Sequence, residues 1–422
     1  MELLQQVRII DPSQGIDRLA DVLIVEGKIK AIADKIVDYP ASATIFKGEN
    51  LILGTGLVDL YSHSSEPGNE GRESLRDLVN AAAAGGFTQV GILSDTIPRI
   101  DNSEVLAALV NKTQHLNSPN LVSPQIRFWG SATEATTPRQ MSELGAMKSE
   151  VIGFYDSYGL ASLNLFKQVL EYLHPWQSTM AIALHTNELA NAGVVREGLD
   201  SIRYGMVGYP GFAEAAMIAA VIEIVAAIPT PVHIMRVSTK RGVELIADAK
   251  QRGLPLTAST TWMHLLWNSE AIASYDPNLR LHPPIGDVND QTALITGVKQ
   301  GIIDAIAIDH QAYTYEEKTV PFALAPPGVI GLQLALPLLW QKFVSTGTWS
   351  ALELWQALSS RPRQCLQQSP SAIALDLATD LILFAPDAVW VANSQCLQSP
   401  AINTPWYNQL ITGQVIKTWI SC

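Results

Sequence analysis

Cysteine is nearly absent: three in 422 residues, Cys365, Cys396 and Cys422, all towards the C-terminal end. They make neither a CxxC pair nor a disulfide framework, which excludes a disulfide-stapled scaffold and points to a reducing compartment. Charge is sparse at 16% of residues, and basic charge sparser still. Against 40 Asp and Glu stand only 28 Lys and Arg, for a formal net charge of −12. That balance argues against nucleic acid or an anionic membrane as the partner. No apolar run approaches the ~20 residues that cross a bilayer. Met1–Arg8 has no basic stretch leading into an apolar core, the pattern of a secretory leader, so the expected location is the cytoplasm. Histidine is scarce too: there are eight, and no His-x-His anywhere. What is plentiful is apolar sequence, 47% of the chain. A chain of this length and composition can bury a large core, and one large domain with a smaller companion is the expected arrangement.

The first fifty residues read as short strands, Val7–Ile10, Asp21–Val25 and Ile29–Ile32, separated by Asp-Pro and Glu-Gly-Lys turn signals. From about residue 51 the rhythm becomes strand followed by helix. Apolar strands are predicted at Leu51–Val58, Gln89–Leu93, Val151–Phe154, Met180–Leu184, Val232–Met235 and Ile303–Ile308. Amphipathic or Ala-rich helices are predicted at Glu73–Ala84, Gly159–Leu173, Ala213–Ala227 and Gly242–Arg252. Such alternation implies a parallel sheet, and its length suits an eight-fold barrel over 51–365. Short strands return at Asp380–Phe384, Val389–Val391 and Val415–Trp419. Residues 1–50 and 366–422 are therefore expected to form one small β domain beside the barrel.

In a parallel barrel the side chains just past the C-terminal strand ends converge on one mouth. The polar residues at those positions are His63, Asp156, His185, Arg236 and Asp309. A single such residue is more often a structural cap, but five at successive strand ends point to a site.

The stretch Asp59-Leu-Tyr-Ser-His-Ser-Ser-Glu-Pro-Gly68 resembles the Asp-x-His-x-His-x-Arg-Glu-Pro-Gly of the dihydroorotase family of cyclic amidohydrolases. Further resemblances follow in order: Gly85-Gly-Phe-Thr88, Gly193-Val-Val-Arg-Glu-Gly198, Val237-Ser-Thr239, Pro283-Pro284, Asp309-His310 and Ala325-Pro-Pro-Gly328. The resemblance implies an amidohydrolase-type (β/α)8 barrel with a small β-sandwich built from both chain ends. It also implies a zinc site, in which bound metal lowers the pKa of water from about 15.7 to about 7.

Carried over residue by residue, the family's metal positions fall on His63, His185 and Asp309, which are retained, and on Tyr61 and Arg236, which are not ligands of that kind. Asp156 is the candidate for the bridging group. Asp309 takes the position of the family's general acid/base. The substrate positions are all altered, to Ser65, Asp95, His282 and Tyr313. A guanidinium is always charged and repels a dication, so Arg236 among acidic residues reads as a replacement for zinc. His233 and His264 read as structural, and structural roles stay open for His63, His185 and Asp309.

The function implied is that of a dihydroorotase-like protein of pyrimidine biosynthesis, catalytically degenerate and without cofactor, acting as a structural partner of aspartate transcarbamoylase. Self-association into a homo-oligomer is also open. Two alternatives remain: a hydrolase of another cyclic amide using one zinc ion on His63, His185 and Asp309, and an atypical active dihydroorotase.

Overall fold

The computed structural model describes residues 1–420 apart from 117–122, 136–138, 157–161, 185–186, 191 and 378, with the backbone alone at 187 and 188. The chain opens on β1 (Glu2–Asp11) and β2 (Ile16–Val25), paired antiparallel. Asp11 accepts the Ser13 N–H at 2.8 Å, an aspartate-stabilised turn that reverses the chain. The turn into β3 (Lys28–Ala33) puts Glu26 and Gly27 at positive φ, as a tight hairpin demands. β4 (Thr44–Lys47) and β5 (Ile52–Thr55) then run parallel to β1.

The barrel begins directly afterwards with β6 (Leu57–Ser62) and β7 (Phe87–Ile92). Its third strand comes in two halves, β8 (Gln125–Phe128) and β9 (Gly130–Ser131), broken at Trp129. β10 (Phe154–Asp156) and β11 (Met180–Ala183) follow. A short parallel ribbon, β12 (Val195–Arg196) with β13 (Gly208–Tyr209), interrupts the connection to the next barrel strand. The circuit is completed by β14 (Val232–Met235), β15 (Leu256–Thr261) and β16 (Ala305–Ala307). All barrel pairings are parallel, β6-β7-β8 in one run and β9-β10-β11-β14-β15-β16 in the other. The Trp129 N–H donates to Ile92 and the Ile152 N–H to Phe128, both at 2.9 Å, which joins the runs. At the other seam the Asp309 N–H donates to the Tyr61 carbonyl at 3.1 Å and the His63 N–H to the His310 carbonyl at 2.9 Å. The result is a closed (β/α)8 barrel.

Inside it, Val58, Leu60, Leu93, Trp129, Tyr155, Ala181, Met235 and Ala305 fill the centre, so the barrel is packed rather than hollow. Helices form the outer layer, and several have a readable start. Ser74 caps Leu75–Ala84 in a reciprocal capping box with Asp77, and Thr239 caps Lys240–Gln251. The chain ends on β17 (Leu381–Val391) and β18 (Leu410–Trp419). They join the first strands in one sheet of order β18-β17-β5-β1-β2-β3, with β4 also on β1. This sheet has its own core of Leu4, Val7, Ile9, Val22, Leu53 and Leu383.

Three sequence expectations are adjusted. The Leu51–Val58 run is two strands, because Gly56 turns the chain from one sheet to the other. A side chain there would collide with Thr88 and Asp380. The strand expected at Val151–Phe154 begins at Phe154, after Gly153 at φ 153°. Asp380–Phe384 and Val389–Val391 are one continuous strand, whose register shift between Ala385 and Val389 bends it without ending it. Of the expected Gly159–Leu173 helix the described part is Leu163–Leu173; its beginning lies outside the described residues. Among the described residues no helix is long and apolar enough to cross a membrane.

Candidate functional site

Four ionisable side chains meet where β6, β7, β14 and β16 end. Arg236, the first residue past β14, forms a fork with Asp309, two past β16. Its Nε donates to Oδ2 at 2.7 Å and its Nη2 to Oδ1 at 2.6 Å. The same Nη2 lies 3.0 Å from His63 Nε2, and that nitrogen is 3.3 Å from Asp309 Oδ1. On its far side His63 Nδ1 meets Asp95 Oδ2 at 2.5 Å. The cluster therefore runs Asp95–His63–Asp309–Arg236, two carboxylates and two cationic groups. Arg236 is 10% exposed and Asp309 18%, so the pair is screened far less than a surface bridge.

Both members of the fork adopt left-handed backbone, Arg236 at φ 55° and Asp309 at φ 53°. Away from glycine such a conformation costs about 1–2 kcal/mol. Two such residues facing each other at strand ends mark a place where the pair, not the local chain, sets the geometry. Tyr61 props the arrangement from below. Its Oη accepts the Arg236 N–H at 3.1 Å and lies 2.9 Å from Ser259 Oγ, while its ring is 5.6 Å from the guanidinium. Ser259 continues to His233 Nε2 at 2.9 Å, and His233 Nδ1 to Thr257 at 2.8 Å. Each hydroxyl and ring nitrogen along this chain has a partner.

Electrostatics follow from the packing. Burial alone would lower the His63 pKa, but Asp95 and Asp309 outweigh it and raise it to about 9. The imidazole is thus a cation at neutral pH. Burial would raise the Asp309 carboxyl, but Arg236 and His63 hold it well below the usual carboxylate range. The Asp95 carboxyl is likewise lowered, against its burial, by His63. Burial opposes the charge on Arg236 as well, yet Asp309 keeps its pKa well above the usual value. With all four groups ionised, the cluster is neutral. His233 is the opposite case: burial pushes it down to about 3, and it is a neutral structural residue.

The cluster floors a cavity of about 200 Å³. Of the expected substrate positions, Asp95 and His282 line it, together with Tyr155, His264, Gln311 and Gly328. The His282 ring stands edge-on to Tyr209, with centroids 6.0 Å apart. Ser65 and Tyr313 are not among the described lining residues. The Ser65 carbonyl holds the following turn by accepting the Asn69 N–H at 2.7 Å. Tyr313 Oη donates to the Pro327 carbonyl at 3.1 Å, and its ring carries Arg72 at 4.8 Å and Lys318 at 5.2 Å. Asp156 ends β10 in register with Ile182, but of that strand's last two residues it is Tyr155 that lines the cavity. His185 lies outside the described residues.

These residues do not fit a zinc ion. The Arg236 guanidinium takes both Asp309 oxygens and sits within hydrogen-bond distance of the His63 nitrogen that a metal would need. The Tyr61 hydroxyl is engaged by Ser259 and the Arg236 backbone. Among the described residues no group of three or more His, Cys, Asp or Glu side chains converges as a metal centre would.

Sequence reasoning overlooked two buried supports. Asp59, fully buried, accepts the Ile308 N–H at 2.8 Å and the Ser62 hydroxyl at 2.5 Å, and burial raises its pKa to about 7. It closes the barrel seam directly beneath the site. Beside it, buried His310 pairs with buried Glu73 at 3.1 Å, and Ser399 also donates to Glu73. Asp59 and His310 stand in the quoted motifs, but their partners 249 and 237 positions away do not appear there.

An eight-stranded parallel barrel, a terminal sheet and a mouth at the C-terminal strand ends define an amidohydrolase-type architecture. The L-hydantoinase (dihydropyrimidinase) from Arthrobacter aurescens shares it, with a TM-score of 0.83 at 20% identity over 99% of this chain and 94% of that one. A family model described as dihydro-orotase-like matches residues 50–242. A probable dihydroorotase-like protein of Synechocystis sp. is 42% identical, covering 97% of this chain and 98% of its own. A dihydroorotase of Geotalea daltonii is 32% identical over 97% and 96%. The chain belongs to the dihydroorotase family.

Proposed function

We propose that this chain is a catalytically degenerate dihydroorotase-like protein of pyrimidine biosynthesis, a structural partner of aspartate transcarbamoylase. The observation that carries the loss of activity is the fork of Arg236 on Asp309. Amide hydrolysis by this family's route needs a metal-activated water and a free carboxylate to move its proton. Here the carboxylate is held ionised by two cations, and the guanidinium stands where it excludes a dication. Supporting this, the family's carboxylate-binding arginine is Ser65, so the charge-assisted contact that would hold an anionic substrate is missing. The partner rests on the family resemblance alone, and the electrostatically neutral site leaves the barrel intact as a scaffold.

The test has two arms. Purified protein, with and without added zinc, is assayed for interconversion of dihydroorotate and carbamoyl-aspartate, and no turnover is expected. Turnover that disappears in Asp309→Asn would overturn the loss of activity. Sedimentation of the chain mixed with the aspartate transcarbamoylase of the same organism should give a joint boundary; separate boundaries would overturn the partnership.

A further inference from the structure

Lys318, the last residue of the short helix Tyr315–Lys318, is a lysine buried to 7% exposure. Its Nζ donates to two backbone carbonyls, that of Pro326 at 2.8 Å and that of Pro277 at 3.1 Å. The Tyr313 ring closes a third side, its centroid 5.2 Å from the nitrogen. Among the described residues no carboxylate accepts a hydrogen bond from it. An ammonium brings three N–H donors, and this surround offers two oxygen acceptors. Two acceptors satisfy the neutral amine; the third proton of the ammonium meets only the π face.

The charged groups packed around it leave that preference in place. Glu317, on the same helix, is engaged by Arg72, whose Nε lies 3.0 Å from both its oxygens. Arg72 is itself a cation on the Tyr313 ring, 4.8 Å from the centroid. Asp276, from the facing loop, caps its own turn by accepting the Asn278 N–H at 2.9 Å. Arg280, from the same loop, adds positive charge, and burial keeps the Tyr313 phenol protonated. Burial is the largest influence and, with Arg280, outweighs Asp276 and Glu317, bringing the Lys318 pKa down to about 7.

The two carbonyls belong to two loops that wall the mouth cavity. Leu281 and His282 line it from the first loop, Pro327 and Gly328 from the second. The Gly328 N–H donates to the Arg280 carbonyl at 2.9 Å, so the loops touch directly, and Lys318 spans them as well. We propose that Lys318 is a proton-operated clasp on this wall: its neutral amine holds the loops together, and its protonation lets them part. The reason is linkage. Parting the loops admits water to the amine, whose ordinary pKa is about 10.4. Of two forms, the one that binds the proton more tightly gains population as pH falls. Closure therefore strengthens as pH rises from 7 towards 10.4 and is level below 7. The cavity opens most readily at or below neutrality. The clasp stands whether or not the mouth turns over a substrate.

Hydrogen exchange of the full chain, read by mass spectrometry over residues 278–282 and 328–331 and divided by the intrinsic rate, reports the opening. From pH 7 to pH 9 that ratio should fall about fiftyfold, and it should be level between about pH 5 and 6. Lys318→Met keeps the stem and removes the titrating group, so its ratio should not change with pH. Amides of the terminal sheet should behave alike in both proteins. Carbon NMR of the lysine ε-methylenes gives an independent reading: in wild type one of them should titrate near 7. Every lysine titrating near its ordinary value, a wild-type ratio independent of pH, or an equal fall in Lys318→Met would each overturn the proposal. Where Lys318→Met does not fold, the wild-type titration and exchange profile decide it.

Discussion

Replacing Arg236 by methionine removes the guanidinium while keeping a long side chain in the same space. Asp309 then keeps one cation, His63 at 3.3 Å, and loses two charge-assisted hydrogen bonds of 2.6 and 2.7 Å. Breaking a buried pair from one side costs about 3–5 kcal/mol, because the other charge is left uncompensated. Residual exposure of 10% and 18% and the remaining imidazole lower the expectation to about 2–3 kcal/mol. The left-handed backbone at position 236 is equally awkward for methionine, so strain cancels from the comparison. Asp309→Leu alone should cost a similar amount, since it strands the guanidinium. The double variant, with neither charge, should return to within about 1 kcal/mol of wild type. The effect should also depend on pH. Asp309 is held below its usual range, so the pair's contribution is complete above about pH 4 and fades as pH falls towards the lowered folded value. Urea titrations of wild type, both single variants and the double variant, compared at a common m value, measure the coupling directly. Single variants that each cost under about 1 kcal/mol, or a double variant equal to their sum, would refute the reasoning.

Other consequences are equally open to measurement. The His63 ring should titrate near 9 rather than near 6.5. Its folded value is raised, so its stabilisation is complete below pH 6.5 and is lost as pH rises through 9, in all about 3 kcal/mol. Ring-proton NMR reads the titration, and a midpoint at or below 6.5 would contradict it. Tyr61→Phe removes the acceptor of the Arg236 N–H and should destabilise by about 1–3 kcal/mol in urea, with no loss attributable to packing; a neutral effect would show that hydroxyl to be dispensable. Tyr61→His combined with Arg236→His restores nitrogen ligands at both altered positions. It should bind more zinc than wild type, as read by elemental analysis after desalting, and an equal content in both would count against Arg236 as the excluding group.

The strands that could be read from sequence were those that are apolar along most of their length. Val232–Met235 matches β14 residue for residue, because all four residues are buried in the barrel wall. β15, Leu-Thr-Ala-Ser-Thr-Thr, carries hydroxyls into that wall and has no apolar signature, although Ser259 within it holds the Tyr61–His233 chain together. Gln125–Phe128 alternates in polarity and half faces out, so it too offers little to read. At the site, motif frame and strand ends brought Arg236, Asp309, His63, Asp95 and Tyr61 into view. What sequence withheld was who pairs with whom. The resemblance supplied positions, but only the fold places the guanidinium on both Asp309 oxygens and sets Asp59 under the seam. Ser65 and Tyr313 were named by position as well, and neither is among the described residues that line the cavity.

The central claim is that an internal cation has taken the place of a metal. The direct measurement is zinc content by mass spectrometry on protein purified without chelators, alongside His185→Ala. The account predicts zinc far short of one per chain and no change on substitution. Stoichiometric zinc that is lost in His185→Ala would contradict it and return the metal to the barrel mouth.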